Sequence, residues 1–399
     1  MTRPPPLRTD GSNAFARHSM QERVPRIARE VIARNQDYAP RTKSAIERLA
    51  SGIEQNTRLP AARVPGPDVQ AWRAARAEPP NETWLNAEWF YAELAFYREL
   101  NGACRFWELG RDPFAPVKDE ELGSESLWSR LDRALGPTAA RDQRVFELLD
   151  ACLWGNRVDL SYTIAAARTE REDDDLLVDE RQAALPRLVR KGAVVHLVAD
   201  NAGTELAMDL ALLGALLEDG DTRAALHLKI QPTFVSDAMP SDVLRLLEKM
   251  RARGGAASAL ASHLQGCIAA ERLLLIPDPF WTGPLFVSDA PAYLRETLAA
   301  ATIVVLKGDA NYRRLVGDAL WDPATPFARA CVGAPAPLLC LRTMKSDPVL
   351  GLPEGVAERL DVEHPTWRID GRRGVAQGFA LAPGTTGGSP GNDQGQLRG

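Results

Sequence analysis

The sequence predicts an α/β protein: a helical first lobe followed by an α/β/α lobe built on a mostly parallel sheet. Three observations carry this reading. A chain of 399 residues exceeds the size at which one core usually keeps growing, so two lobes are expected. Apolar residues in the first half recur at helical spacing. After Pro186, short β-rich runs alternate with helical segments, the pattern of βαβ units whose parallel sheet is covered on both faces.

In chain order, residues 1–13 read as a disordered leader and 14–185 as the mainly helical lobe. Residues 21–34 place Val24, Ile27, Val31 and Ile32 on one helical face. Residues 86–100 form an aromatic helix with Asn86 as its N-cap, and 143–154 another apolar-faced helix. Proline-rich stretches at 58–67 and 78–81 are connectors. The acidic run 170–175 reads as a solvated loop, because contiguous like charges are usually exposed. The α/β/α lobe spans 186–380, with strands at 193–199, 225–230, 272–276, 302–306 and 337–341. Helices follow at 205–218, 241–253, 257–270, 290–299 and 311–316. The Gly-rich polar tail, 381–399, is expected to be disordered.

Composition narrows the function classes. A net charge of -5 argues against a broad nucleic-acid surface. No apolar run approaches the length of a membrane span, and the N-terminus lacks an apolar signal core, so a cytoplasmic protein is expected. The 5 cysteines are scattered, with no zinc-finger spacing, and read as buried reduced thiols. The histidines are equally dispersed, so any metal ligands are expected to be oxygens.

In open α/β sheets ligands bind beyond the carboxyl ends of the strands. The five predicted strands all run from apolar residues into polar ones there. The first exits into Asp200-Asn201-Ala202-Gly203-Thr204-Glu205 and the second into Ser236-Asp237. The third exits into Asp278, the fourth into Lys307-Gly308-Asp309-Ala310-Asn311-Tyr312-Arg313, and the fifth into Arg342-Thr343-Met344-Lys345. Any one exit can be a turn or a helix cap. Together they would line one crevice. Asp200, Asn201 and Asp237 supply hard oxygen ligands for Mg²⁺ or Mn²⁺. Gly203 and the following helix N-terminus offer N–H groups to an anion. Lys307, Arg313, Arg342 and Lys345 offer cations to phosphate oxygens. A Walker A loop and a G-x-G-x-x-G turn are both absent from these exits.

These motifs resemble the DUF89 family of damage-control phosphatases, in particular the subgroup of the acidic residue methyltransferase 1-like proteins. The exits above carry the likeness, with Arg342-Thr343-Met344-Lys345 similar to that subgroup's Arg-Thr-x-Lys signature. Glu22-Arg23-Val24-Pro25, Trp89-Phe90-Tyr91-Ala92-Glu93 and Trp154-Gly155-Asn156 extend it into the first lobe. The resemblance implies a Rossmann-like second lobe and a phosphatase with Mn²⁺, Co²⁺ or Mg²⁺ at Asp200, Asn201 and Asp237. It implies that Asp309, Asn311, Arg313 and Lys345 hold a small phosphorylated substrate such as fructose 1-phosphate or fructose 6-phosphate. Asp309 is also a candidate for the catalytic apparatus, and Glu205, Lys307, Tyr312, Arg342, Arg23 and Asn156 are further candidate substrate contacts. The alternatives are a protein-glutamate methyltransferase, with Glu205 near S-adenosylmethionine, and a non-catalytic sugar-phosphate binder. Thr204, Leu94 and Ala95 stand where relatives carry aromatic residues.

Overall fold

The computed structural model describes residues 3–61, 66–75, 82–137, 140–155 and 175–381. Asn156, residues 170–174 of the acidic run and the tail from 382 lie outside the described residues.

The first half is helical, as its periodicity predicts. Helices α1 (Ala14–His18), α2 (Val24–Arg34), α3 (Pro40–Glu54), α4 (Val69–Ala75) and α5 (Trp89–Ala103) surround a core running from Leu7 to Phe114. One wide turn, Ser19–Arg23, joins α1 to α2, and Pro25 is tolerated because it falls in the first turn of α2. Nearly every side chain of α5 is buried, which its aromatic sequence requires. Glu88, not Asn86, occupies its N-cap position; Asn86 lies in the preceding turn, where Arg8 binds it. Short helices α6 (Phe106–Leu109) and α7 (Ala115–Leu122) lead to α8 (Glu125–Ala134) and α9 (Arg141–Trp154).

The second half is a 7-stranded sheet in the order β1-β7-β6-β5-β2-β3-β4. The five predicted strands are β2 (Val194–Val198), β3 (Arg223–Leu228), β4 (Leu273–Pro277), β5 (Ile303–Lys307) and β6 (Leu338–Thr343), all parallel. Two more were not anticipated. β7 (Gly374–Phe379) runs antiparallel to β6, and β1 (Leu176–Asp179) pairs with β7. Alternation covers both faces: Val195, Leu197, Val305 and Leu339 enter one core, whereas Val198, Val304, Leu306 and Leu338 enter the other.

Helices α10 (Arg181–Leu188), α11 (Thr204–Leu217), α12 (Pro240–Arg253) and α13 (Gly255–Ala269) contribute to the first core, and α14 (Ala292–Ala299), α15 (Gly308–Val316) and α16 (Val356–Glu363) to the second. Leu127, Leu131, Val145 and Leu149, from α8 and α9, also belong to the first core. The boundary expected at 185/186 therefore shifts: packing divides the chain near residue 114, and α8, α9 and β1 belong with the sheet.

From Arg3 onward the expected disordered leader is a packed strap. The Leu7 N–H donates to the Asp318 carbonyl at 2.8 Å, the Trp89 N–H to the Leu7 carbonyl at 2.8 Å, and Thr9 is fully buried. Polar composition hid this, because the strap is held by backbone pairing and one apolar anchor. Asp175, assigned to a solvated loop, is likewise buried and accepts a hydrogen bond from Arg372 at 3.1 Å. The cysteines are all buried and unpaired. Among the described residues no helix is long and apolar enough to cross a membrane.

Candidate functional site

The chain leaves β2, builds β3 and β4 on one side, then returns to build β5 and β6 on the other. Such a reversal opens a crevice between the ends of β2 and β5. Register keeps those ends level: Val198 pairs with His227 on one side and with Leu306 on the other. The exit loops of β2 and β3 then pair beyond the sheet. Asn201 forms an antiparallel bridge with Asp237, the Ala202 N–H donates to the Ser236 carbonyl at 2.7 Å, and the Ala238 N–H to the Asp200 carbonyl at 2.8 Å. This pairing, not the strands alone, sets Asp200 and Asn201 beside Asp237. Just before Asp237 the backbone is left-handed at Phe234 (φ 47°) and Val235 (φ 71°). Left-handed backbone is costly for a β-branched residue, and such strain concentrates at functional sites. On the β5 side Gly308 has φ +81°, and a Cβ there would stand 1.9 Å from Asp200 Oδ2.

Asp200, Asn201 and Asp237 line a cleft of about 280 Å³ with Phe15, Arg23, Trp89, Glu93, Phe234, Ser236, Asp309, Arg313 and Lys345. Burial, then repulsion from Glu205 and Asp237, drives the Asp200 carboxyl well above its ordinary range. Burial raises Asp237 to about 6 even though the Lys229 ammonium, 3.3 Å from Oδ2, opposes it. Neither Asp237 oxygen meets a well-directed hydrogen-bond donor among the described residues. Two buried, mutually repelling carboxylates, one with orphaned oxygens, suit a divalent cation, whose charge relieves both penalties. No group of three His, Cys, Asp or Glu ligands occurs among the described residues. The available set is therefore two carboxylates completed by the Asn201 amide. That amide now donates to Asp200 Oδ2 at 2.9 Å and to Glu205 Oε2 at 3.0 Å, while its oxygen accepts from Ser236 Oγ at 2.5 Å. All-oxygen donors with open positions fit a hard ion such as Mg²⁺ or Mn²⁺.

With this geometry in place, comparison with known proteins is informative. The profile of the damage-control phosphatase ARMT1-like domain matches residues 19–360. The chain belongs to the damage-control phosphatase ARMT1-like family. Relatives described as damage-control phosphatase ARMT1 include one from Danio rerio, 28% identical over 436 residues, covering 94% of this chain and 97% of its own. Those from Rattus norvegicus and Homo sapiens are 31% and 30% identical, each over 74% of this chain and 74% and 75% of their own. A solved DUF89 family protein from Pyrococcus horikoshii aligns over 92% of this chain and 98% of its own, with TM-score 0.47 and 15% identity.

In this damage-control phosphatase ARMT1-like chain the remaining candidates divide into those that reach the cleft and those that do not. Asp309 does, held by the Arg342 guanidinium at 2.7 Å and the Lys345 N–H at 3.1 Å. Burial opposes its ionisation, but Arg342 and Arg313 outweigh it and keep Asp309 below its usual range. Lys345 and Arg23 also line the cleft, Arg23 paired with Glu93. Arg313 reaches it while bound to Glu93 at 2.8 Å and Asp318 at 2.7 Å and lying over the Trp89 ring.

Four assignments are revised. Lys307 is fully buried between Glu205 (2.8 Å) and Asp209 (3.0 Å), so it neutralises acids and does not meet phosphate. Arg342 is fully buried, its guanidinium used by Asp309, Ser346 and the Pro348 carbonyl. Tyr312 points away, donating to Gln377 at 2.9 Å. Asn311 is buried, bracing the Ala199 and Lys307 carbonyls.

Two further expectations change. The N-terminus of α11 is not open to an outside anion, because Glu121 already accepts the Thr204 N–H at 2.7 Å, and a Cβ on Gly203 would meet that carboxylate. Glu205, besides its bonds to Lys307 and Asn201, borders a void of only about 10 Å³, room for one water and not for a methyl donor.

Sequence reasoning gave no role to Lys229, Glu121, Ser236, Phe15 or Phe234. Lys229 stands at the exit of β3, where the rule that singled out Asp237 would also have found it. Glu121 had no local signal, since it reaches the site from α7.

Proposed function

We propose that this protein hydrolyses small phosphorylated metabolites, in particular sugar phosphates such as fructose 1-phosphate or fructose 6-phosphate, with a divalent metal ion held by Asp200, Asn201 and Asp237. The observation that carries the reading is the convergence of those residues with Asp309, Lys345 and Arg23 in one small cleft of a damage-control phosphatase-family chain. When bound, Mn²⁺, Co²⁺ or Mg²⁺ would neutralise phosphate charge and act as a Lewis acid.

The protein's own residues then have distinct tasks. Lys345 and Arg23 attract and orient the phosphate dianion. Asp309, held ionised by Arg342, can only accept hydrogen bonds, so it orients a hydroxyl or water proton and cannot serve as the acid. Phe15, Trp89 and Phe234 give the cleft an apolar wall that limits water, which strengthens these contacts. The cleft volume suits a compact metabolite better than a nucleotide.

The test is a phosphate-release screen of sugar phosphates and nucleotides with each metal. We expect release that chelator abolishes and Mn²⁺ or Co²⁺ restores, and at least ~100-fold loss in Asp237→Ala with folding retained. Absence of release from every ester with every metal would sink the reading.

A further inference from the structure

Part of the wall of the cleft comes from the N-terminal segment. Phe15 lines the cleft and packs edge-on against Trp89, ring centroids 5.6 Å apart. Its position is fixed from two directions. Asn13 Oδ1 accepts the Ala16 N–H at 2.7 Å, capping α1 and setting the path of the chain through Phe15. Asn13 Nδ2 donates to Asp347 Oδ2 at 2.6 Å. Asp347 lies two residues beyond Lys345, on the loop after β6, so this bond joins the segment bearing Phe15 to the loop bearing Lys345. Both residues are partly buried and 334 positions apart in sequence, so the bond is a long-range tie between the two segments. The strap before Asn13 is pinned separately, by the Leu7 pairing with Asp318 and Trp89 and by the Arg3 guanidinium 4.7 Å from the Phe286 ring centroid.

We propose that Asn13 and Asp347 form a clasp that holds Phe15 in the cleft wall beside Trp89, making Phe15 a specificity residue that sets how large the non-phosphate end of the substrate can be. Asn13 and Asp347 are positioning residues. Phe15 is the surface the substrate meets. The substrate class that fits a cleft of about 280 Å³ with Phe15, Trp89 and Phe234 in its wall is a phosphate monoester of a short polyol or sugar. This rests on the phosphatase reading above.

Asn13→Asp separates the clasp from the cap. Aspartate still accepts the Ala16 N–H, but it sets two carboxylates face to face where a charge-assisted bond stood. Adding Asp347→Asn restores a donor–acceptor pair in reverse. We expect N13D to raise KM for a sugar phosphate about tenfold with kcat nearly unchanged, and N13D/D347N to return it to within about twofold of the parent. Phe15→Ala should narrow the preference for short over bulky phosphate monoesters roughly tenfold in kcat/KM, with the protein's melting temperature little changed.

Hydrogen exchange gives a readout that needs no turnover. Peptides covering 14–23 and 344–350 should exchange faster together in N13D and recover together in the double variant. Equal KM and equal exchange in parent, N13D and double variant would overturn the clasp. Unchanged selectivity in Phe15→Ala would overturn the role of Phe15. Absence of phosphate release in the parent, with coupled exchange intact, would instead remove the phosphatase reading and leave the clasp standing.

Discussion

At the scale of single residues, the site is a balance of buried charge. Lys307 lies between Glu205 and Asp209, and those carboxylates keep it protonated against the cost of burial. Asp200 and Asp237 lack such full compensation, and burial holds both carboxyls above their ordinary range. A third buried group makes a pH prediction away from the cleft. His227 Nε2 lies 2.9 Å from His196 Nδ1, and its Nδ1 accepts from the Trp281 indole at 3.3 Å. Burial, then the neighbouring His196, pushes His227 down to about 3. Below its unfolded pKa of about 6.5 the unfolded chain takes up a proton that the folded chain refuses. Stability from this residue is thus complete above about pH 6.5 and declines by about 1.4 kcal/mol per unit as pH falls toward 3. Urea denaturation at pH 7 and pH 5 should show His227→Gln losing roughly 2 kcal/mol less than the parent over that interval. An equal loss in both would refute the assignment.

At the scale of elements, the strand exits matter more than the strands. β2 and β5 end side by side, but Asp200 can occupy its place only because residue 308 has no side chain. Gly308→Ala should cost about 2–3 kcal/mol and reduce phosphate release at least ~100-fold, since both the left-handed backbone and the Asp200 carboxylate oppose the new methyl. Gly220→Ala is the control. It shares the left-handed backbone (φ +80°) but has nothing within 4 Å of its would-be Cβ. It should cost about 1 kcal/mol in urea denaturation and leave catalysis intact. If both variants lose activity alike, the close approach at Gly308 is not what matters.

The elements also explain which parts of the sheet were legible. The five strands read from the sequence are continuous apolar runs; β2, β3, β5 and β6 are largely buried on both faces, whereas β4, at the sheet edge, leaves Leu274 exposed. β7 carries two glycines and the buried Gln377, which bonds Tyr312 and the Leu350 carbonyl, so it lacks that texture. β1 follows an acidic stretch and is only 4 residues long. Neither strand could be recognised without its partner.

At the scale of the whole molecule, the two halves are fastened through the site. Arg313 of α15 binds Glu93 of α5, Asn101 donates to the Pro232 carbonyl at 2.8 Å, and Phe90 stacks on Phe286 with centroids 5.5 Å apart. Lys118, just past the division, binds Asp112 of the first half at 2.9 Å as well as the Asp242 carboxylate at 2.8 Å. These contacts are buried, so neither half should unfold alone. Urea unfolding followed by tryptophan fluorescence and by circular dichroism should give one coincident transition. Two separated transitions would show that the halves are energetically independent.

By itself the sequence determined the α/β class, five of the seven strands and the polar exits, because these follow from local periodicity and from where apolar runs stop. It also named Asp200, Asn201 and Asp237 as a set, since all lie at such exits. It could not distinguish a cation that faces the cleft from one that is spent inside. Lys307, Arg342 and Lys345 look alike as letters, yet the first two are consumed by Glu205, Asp209 and Asp309, and only Lys345 lines the cleft. That choice belongs to the tertiary structure, because a charge can remain buried only where folding brings a distant opposite charge to meet it. The same holds for Glu121, which fills the α11 N-terminus from another helix, and for the N-terminal strap, whose order depends on partners more than 70 residues away.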